Sequence, residues 1–205
     1  VIVAVISVAG VVIAALIGKG WKSSKANERL ELELKFQSAA LSFSEFLTEW
    51  NEVHKEILAL FRETKVDRFL LLRAWNGELT PRWTTAFFQI RTEDQEPVSY
   101  VHFELDDDYV HRIRKTVDHG SHVFTVSEIP ESSIKDVYET EGVKQAAWFF
   151  IDRQNLPGSN SSAITYCSFA SHSDEPMSVA DVTRCRIVAS RMKGAAHSMR
   201  VNSEG

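Results

Sequence analysis

Three groups of side chains in this 205-residue chain are of types that do chemistry: the run Asp106, Asp107, Asp108; the histidines His111, His119 and His122; and Cys167 with His172 five positions later. Consecutive carboxylates offer oxygen ligands to a hard cation. They also precede a helical stretch, residues 109 to 117. There, aspartates satisfy free amides and complement the helix dipole, and capping is the preferred reading. His111 lies on that helix and His119 closes it, eight positions on, which separates them by about 12 Å. One ion cannot bridge them, so the histidines read as surface groups. A thiol activated by a base needs a third group to orient the base, and His172 lies in the polar loop SHSDEP beyond the strand that holds Cys167.

The chain contains no G-x-S-x-G elbow, phosphate-binding P-loop, G-x-G-x-x-G fingerprint, H-E-x-x-H or C-x-x-C. No enzyme activity, metal or cofactor is expected. Cys167 and Cys185 read as partly buried free thiols; in an oxidising compartment they could join a strand to a helix. Asn160-Ser161-Ser162 fits a glycosylation acceptor and carries meaning only in a secreted protein. The formal net charge is -5, with 23 basic residues scattered among 28 acidic ones. That distribution lacks the basic footprint of a nucleic-acid binder. Trp75, Trp83, Tyr109, Trp148, Phe150 and Tyr166 are aromatics able to line a pocket between a sheet and its helices. Ordinary core packing is the competing role for them.

The elements that must position these groups begin with an apolar run, VIVAVISVAGVVIAALIG, over residues 1 to 18. Eighteen helical residues reach about 27 Å, close to a hydrocarbon core of about 30 Å. A transmembrane helix over 1–21 is expected, with Trp21 at interfacial depth. No basic region precedes the run and no A-x-A-like site follows, which favours a retained span over a signal peptide. Lys19, Lys22 and Lys25 then place the remainder in the cytoplasm by the positive-inside rule. Gly10, Ala14 and Gly18 form a small-residue stripe that lets spans approach one another. The membrane is thus one expected partner.

Residues 22–64 read as a stalk helix, free of proline and glycine from Ala26 to Thr64. Leu32, Phe36, Ala39, Phe43, Phe46, Trp50, Val53, Ile57 and Leu60 recur at alternating spacings of four and three, the signature of a coiled-coil seam. A homo-oligomer joined through Leu32, Phe36, Phe43, Phe46 and Trp50 is expected. Residues 65–200 then form one α+β domain, an antiparallel sheet flanked by helices, followed by a tail over 201–205. Strands are expected over 66–75, 84–91, 99–105, 123–126, 143–152 and 162–171, and helices over 109–117 and 132–140. A last helix opens at a capping box, Ser178 and Asp181, with Val182, Cys185, Ala189, Met192, Ala196 and Met199 as its apolar stripe.

This pattern resembles the GAF domain, a ligand-sensing fold related to PAS, over roughly residues 30 to 199. The matching passages are VDRFLLLRAWNG, HVFTVSEIPESSIKDVYETEGVKQAAWFF and SAITYCSFASHSDEPMSVADVTRCRIVAS. The resemblance implies a small-molecule or protein ligand held on the aromatic face near the helix after the third strand, with His111 and Arg112 as polar contacts. It also implies dimerisation by bundling of the first and last helices. The Asn-Lys-Phe-Asp-Glu signature of cyclic-nucleotide-binding members is missing, and Cys167 does not align with the bilin-attaching cysteine of photoreceptor members. No kinase, cyclase or phosphodiesterase passage follows, so a signal is expected to leave through the helices. The layout of span, stalk and compact domain also resembles the holins of T-even bacteriophages, whose soluble domain faces the periplasm. The expected protein is a membrane-anchored, non-enzymatic GAF-like sensing or interaction module that oligomerises. The alternative is a holin-like or virion-associated protein.

Overall fold

The computed structural model describes residues 50–75, 81–92, 103–155 and 162–201. The chain divides after Glu45, and the described residues belong to the unit Phe46–Gly205. Helix α1 (50–63) leads into β1 (Arg68–Trp75), β2 (Trp83–Arg91) and β3 (Phe103–Glu104). Helix α2 (Asp107–His119), β4 (Ser121–Thr125), a 3₁₀ turn (Val126–Glu128) and α3 (Ser133–Thr140) follow. The domain ends with β5 (Gln145–Asn155), β6 (Ser162–Ser171) and α4 (Val179–Val201). The α+β expectation holds, and the described strands and helices fall where the sequence pattern placed them, within a few residues.

The six strands form one antiparallel sheet in the order β3-β2-β1-β6-β5-β4. Its centre is β1 against β6, where Phe69 faces Phe169 and Leu71 faces Cys167. Both strands are buried on both sides, which is why RFLLLRAW reads as a continuous apolar run and not as an alternation. On one face Leu70, Leu72, Trp148, Ile164 and Tyr166 meet Tyr109 and Ile113 of α2 and Ile134 and Tyr138 of α3. On the other, Phe69, Leu71, Phe149, Cys167 and Phe169 meet Val53, Ile57 and Leu60 of α1 and Cys185, Val188, Ala189 and Met192 of α4. Each buried large apolar side chain contributes about 1.5–3 kcal/mol.

Two bulges set which side chain reaches which face. In β2, Leu71 pairs with Phe88 but Leu72 with Ala86, so Phe87 is the extra residue. In β5, Phe150 pairs with Tyr166 but Asp152 with Thr165, so Ile151 is. Such insertions locally kink and twist the strand.

The helix ends follow the sequence signals. Asp106 caps α2, accepting from the Tyr109 amide at 2.8 Å, and Gly120 closes that helix in the left-handed conformation. At α4 the capping box is reciprocal: the Asp181 amide donates to Ser178 Oγ at 3.1 Å and the Ser178 amide to Asp181 Oδ2 at 2.8 Å. Helices α1 and α4 are joined by ion pairs Glu63–Arg184 and Glu56–Arg191. The two acids and the two bases are each seven apart, as an antiparallel register requires.

One buried ionic group ties the two layers. Glu141, just past α3, accepts from Arg91 at 2.8 Å and pairs with Arg68 as well. Arg68 is fully buried, with its guanidinium 4.9 Å from the Tyr138 ring centre.

The expected single-pass membrane placement, cytoplasmic or periplasmic, is corrected here. Among the described residues no helix is long and apolar enough to cross a membrane. Helix α4 carries Asp181, Arg184, Arg186, Arg191 and Lys193 along its length, and each charge is costly in hydrocarbon. The span expected over 1–21, with Gly10, Ala14 and Gly18, lies outside the described residues, as do Leu32, Phe36, Phe43 and Phe46.

Removing one partner of a buried ionic group leaves the others uncompensated. Glu141→Ala is expected to lower the unfolding free energy by about 3–5 kcal/mol, read from urea denaturation. A loss below about 1 kcal/mol would mean that the two arginines are solvated without Glu141.

Candidate functional site

The face of the sheet beneath α2 and α3 carries most of the polar chemistry. Alternation along β6 sends Ile164, Tyr166, Ser168 and Ala170 to that side, while α2 supplies Tyr109, Ile113 and Thr116 at helical spacing. Trp148 from β5 stands at the centre, fully buried. Its ring lies 5.2 Å from Tyr109, 5.1 Å from Tyr166 and 5.4 Å from Phe124, centre to centre. Polar atoms thread the layer in two sets. The Tyr166 hydroxyl bonds those of Tyr109 at 3.0 Å and Thr84 at 3.2 Å. The Trp148 indole N–H donates to the Tyr138 hydroxyl at 2.9 Å, and that hydroxyl meets Ser168 at 3.3 Å. These buried groups are therefore paired with one another, as burial demands.

A charged corner adjoins this layer. Asp108 holds Arg112 through two hydrogen bonds, 2.7 Å to Nε and 3.3 Å to Nη2. The guanidinium lies 4.7 Å from the Phe124 ring centre and reaches His122 Nε2 at 3.5 Å. Arginine only donates, so Nε2 is an acceptor and the imidazole is neutral. Burial, and then the Arg112 charge, lower the His122 pKa to about 4. Nearby, Asp106 also accepts from the Ser133 amide at 2.6 Å, which fastens the start of α3 to that of α2. Burial pushes the Asp106 carboxyl up, but hydrogen bonds from Ser133, Tyr109 and Asp108 outweigh it and leave its pKa below the ordinary value. The aspartate run thus caps and pairs, and no group of three or more metal-ligating side chains assembles among the described residues.

Of the expected pocket residues, the structure brings Tyr109, Trp148 and Tyr166 into contact and sets Phe150 at the margin of the same cluster. Arg112 joins through Phe124. His111 is exposed on α2, and His122 takes the place expected for it beside Arg112. Trp75 and Trp83 are register partners at the end of β1 and β2. Alternation from Ala74 and Thr84, which face the layer, turns both tryptophans to the opposite side. Trp50, expected at an oligomer seam, lies edge-on against Phe88 of its own sheet with ring centres 4.0 Å apart. Sequence reading did not single out Tyr138, Ser168, Thr84 or Phe124. Tyr138 was legible as the i+4 partner of Ile134, and Ser168 as the i+2 partner of Tyr166.

Neither thiol belongs to this layer. Cys167 and Cys185 are both free and buried on the face of the sheet that α1 and α4 cover. Burial, together with the neighbouring Cys185, pushes the Cys167 thiol well up, and burial with Asp181 pushes Cys185 up to about 12. Such thiols stay protonated and unreactive. His172 is engaged with Asp67, Nδ1 to Oδ1 at 2.7 Å.

The His122 environment sets a pH response. The unfolded imidazole takes up a proton near its ordinary 6.5, whereas the folded one resists until about 4. Between those values the unfolded chain binds more protons, so stability falls as pH drops through that window. His122→Gln should show a smaller decrease in Tm between about pH 6.5 and about pH 4. Equal decreases in both chains would place the acid sensitivity elsewhere.

No protein-family model and no curated protein matches the chain. Solved structures do match. A far-red cyanobacteriochrome photoreceptor superposes with a TM-score of 0.56 at 9% identity, covering 83% of this chain and 98% of its own. The GAF domain of a two-component sensor histidine kinase from Bacillus halodurans gives 0.53 at 8%, covering 75% and 97%. The blue-light absorbing form of the Thermosynechococcus elongatus PixJ GAF domain gives 0.53 at 8%, covering 82% and 91%. Nothing here supports the holin resemblance. At such identities the likeness speaks for architecture alone, and that architecture is the GAF fold.

Proposed function

We propose that this domain is a non-enzymatic sensing module in which occupancy of the aromatic layer alters the packing of the two terminal helices. The observation that carries the reading is the alternation of β5 and β6. Trp148 and Tyr166 enter the aromatic layer, while their neighbours Phe149 and Cys167 enter the core shared with α1 and α4. A shift of either strand in response to the layer is therefore felt one residue away by the helices. A small molecule entering the layer would take over hydrogen bonds that Tyr109, Tyr138 and Tyr166 now make to Thr84, Trp148, Ser168 and one another. Its differential affinity for the open and closed arrangements sets how far the equilibrium moves. One structural neighbour is a phycoerythrobilin-bound GAF domain from a cyanobacterial phytochrome, at a TM-score of 0.51 and 10% identity. A small-molecule ligand is compatible with that likeness. Cys167 lies on the far side of the sheet, so covalent attachment through it forms no part of the reading.

Trp148→Ala opens a cavity that free indole can fill. Hydrogen exchange should show α1 and α4 losing protection in the variant, beyond the loss in β1 and β2, and regaining it with indole. Helix protection indifferent to indole bound in that cavity would break the proposed link between layer and helices.

Self-association through the outer faces of the same helices belongs to this proposal. Leu58 on α1 and Ile187 on α4 are 41% and 52% exposed, the kind of apolar exposure that a second copy can cover. In sedimentation velocity the doubly substituted chain, Leu58→Glu with Ile187→Glu, should run as a smaller species than the unchanged chain. Identical sedimentation would exclude these faces as the contact.

A further inference from the structure

Helix α4 presents two parallel rows of cations. Arg184 and Arg191, seven apart, are taken up by Glu63 and Glu56 of α1. Arg186 and Lys193, also seven apart, have no carboxylate at ion-pair distance among the described residues, and both line a cleft of about 340 Å³ on the other flank of the helix. The cleft lies where β5 outruns β4. Their last register pair is Ser121 with Phe149, and the Phe150 amide donates to the Gly120 carbonyl at 3.0 Å. Phe149 and Phe150 form its apolar wall, His119 and Ser121 stand at its rim, and no carboxylate lines it.

In a chain of net charge -5, two cations along one concavity with no carboxylate partner among the described residues call for a ligand. Lys193 Nζ already lies 5.4 Å from the Phe150 ring centre, so the apolar wall and the positive charge act on the same volume. Two helical turns separate the cations by about 10 Å, the length of a small organic molecule, and the volume lies within the range of ligand sites. The carbonyl end of α2 disfavours an anion nearby, but one of its carbonyls, that of Gly120, is engaged by Phe150. We infer that this cleft binds a small organic anion, its flat apolar body against Phe150 and its acidic group held between Arg186 and Lys193. The site shares only Phe150, at the margin of the aromatic layer, with that layer, and does not depend on the layer opening.

The test uses 1-anilinonaphthalene-8-sulfonate as the probe, titrated into the full chain and followed by its fluorescence. Arg186→Glu and Lys193→Glu each remove one charge-assisted contact and should weaken binding about tenfold or more. Arg62→Glu, on the exposed surface of α1, makes the same change in net charge away from the cleft and should shift affinity less than about twofold. All the positions are exposed, so the fold should survive, and circular dichroism checks that it does. Three results would each overturn the inference: no saturable binding to the unchanged chain, cleft variants that bind as it does, or an equal loss in Arg62→Glu.

Discussion

The structure depends on a sheet whose two central strands have no face turned to water. Because β1 and β6 are buried on both sides, every residue along them must satisfy a layer of helices above or below. A polar side chain there is tolerated only with a partner. That constraint explains why Tyr166 is bonded to Thr84 and Tyr109, and why Ser168 meets Tyr138. It also explains Arg68, at the start of β1, whose buried charge is met by Glu141. The ionic group does more than neutralise: it fixes the end of α3 to the first two strands, across fifty residues of sequence between Arg91 and Glu141.

The same two-sided burial gives the domain its division of labour. One layer is aromatic and threaded by hydroxyls, and the other is a helix pair packed over aliphatic, phenylalanine and cysteine side chains. Interiors are close-packed and transmit strain, and that strain becomes coupling between sites where a packed element has two arrangements. Strands that contribute alternate residues to both layers are the shortest physical route between them. The bulges at Phe87 and Ile151 mark where that alternation is reset.

Charge is arranged as economically as apolar surface. The pairs Glu63–Arg184 and Glu56–Arg191 lie on the surface, where each is worth little on its own. Their repeat nonetheless matches the antiparallel alignment of α1 and α4. The second row on α4, Arg186 and Lys193, is displaced by two residues, about 200° around the helix, and so faces a different neighbour.

Element order, the caps at Asp106 and Ser178, the closing glycine of α2 and the strand 162–171 were all legible in the sequence, because they rest on local spacing and local hydrogen bonds. The candidate site was legible only in part. Trp148, Tyr166 and Tyr109 were identifiable as aromatics, but nothing in a continuously apolar strand says which face a residue takes, and Trp75 and Trp83 fell on the other one. The seam through Val53, Ile57 and Leu60 was visible as a stripe, yet a stripe does not name its partner, and here the chain's own sheet covers it. By itself, the sequence determined the α+β order of elements and the helix ends, since those are written in contacts a few residues apart. Tertiary structure alone decided the faces, the Arg68–Glu141–Arg91 group and the cleft beside α4, since each depends on residues brought together only when the sheet closes.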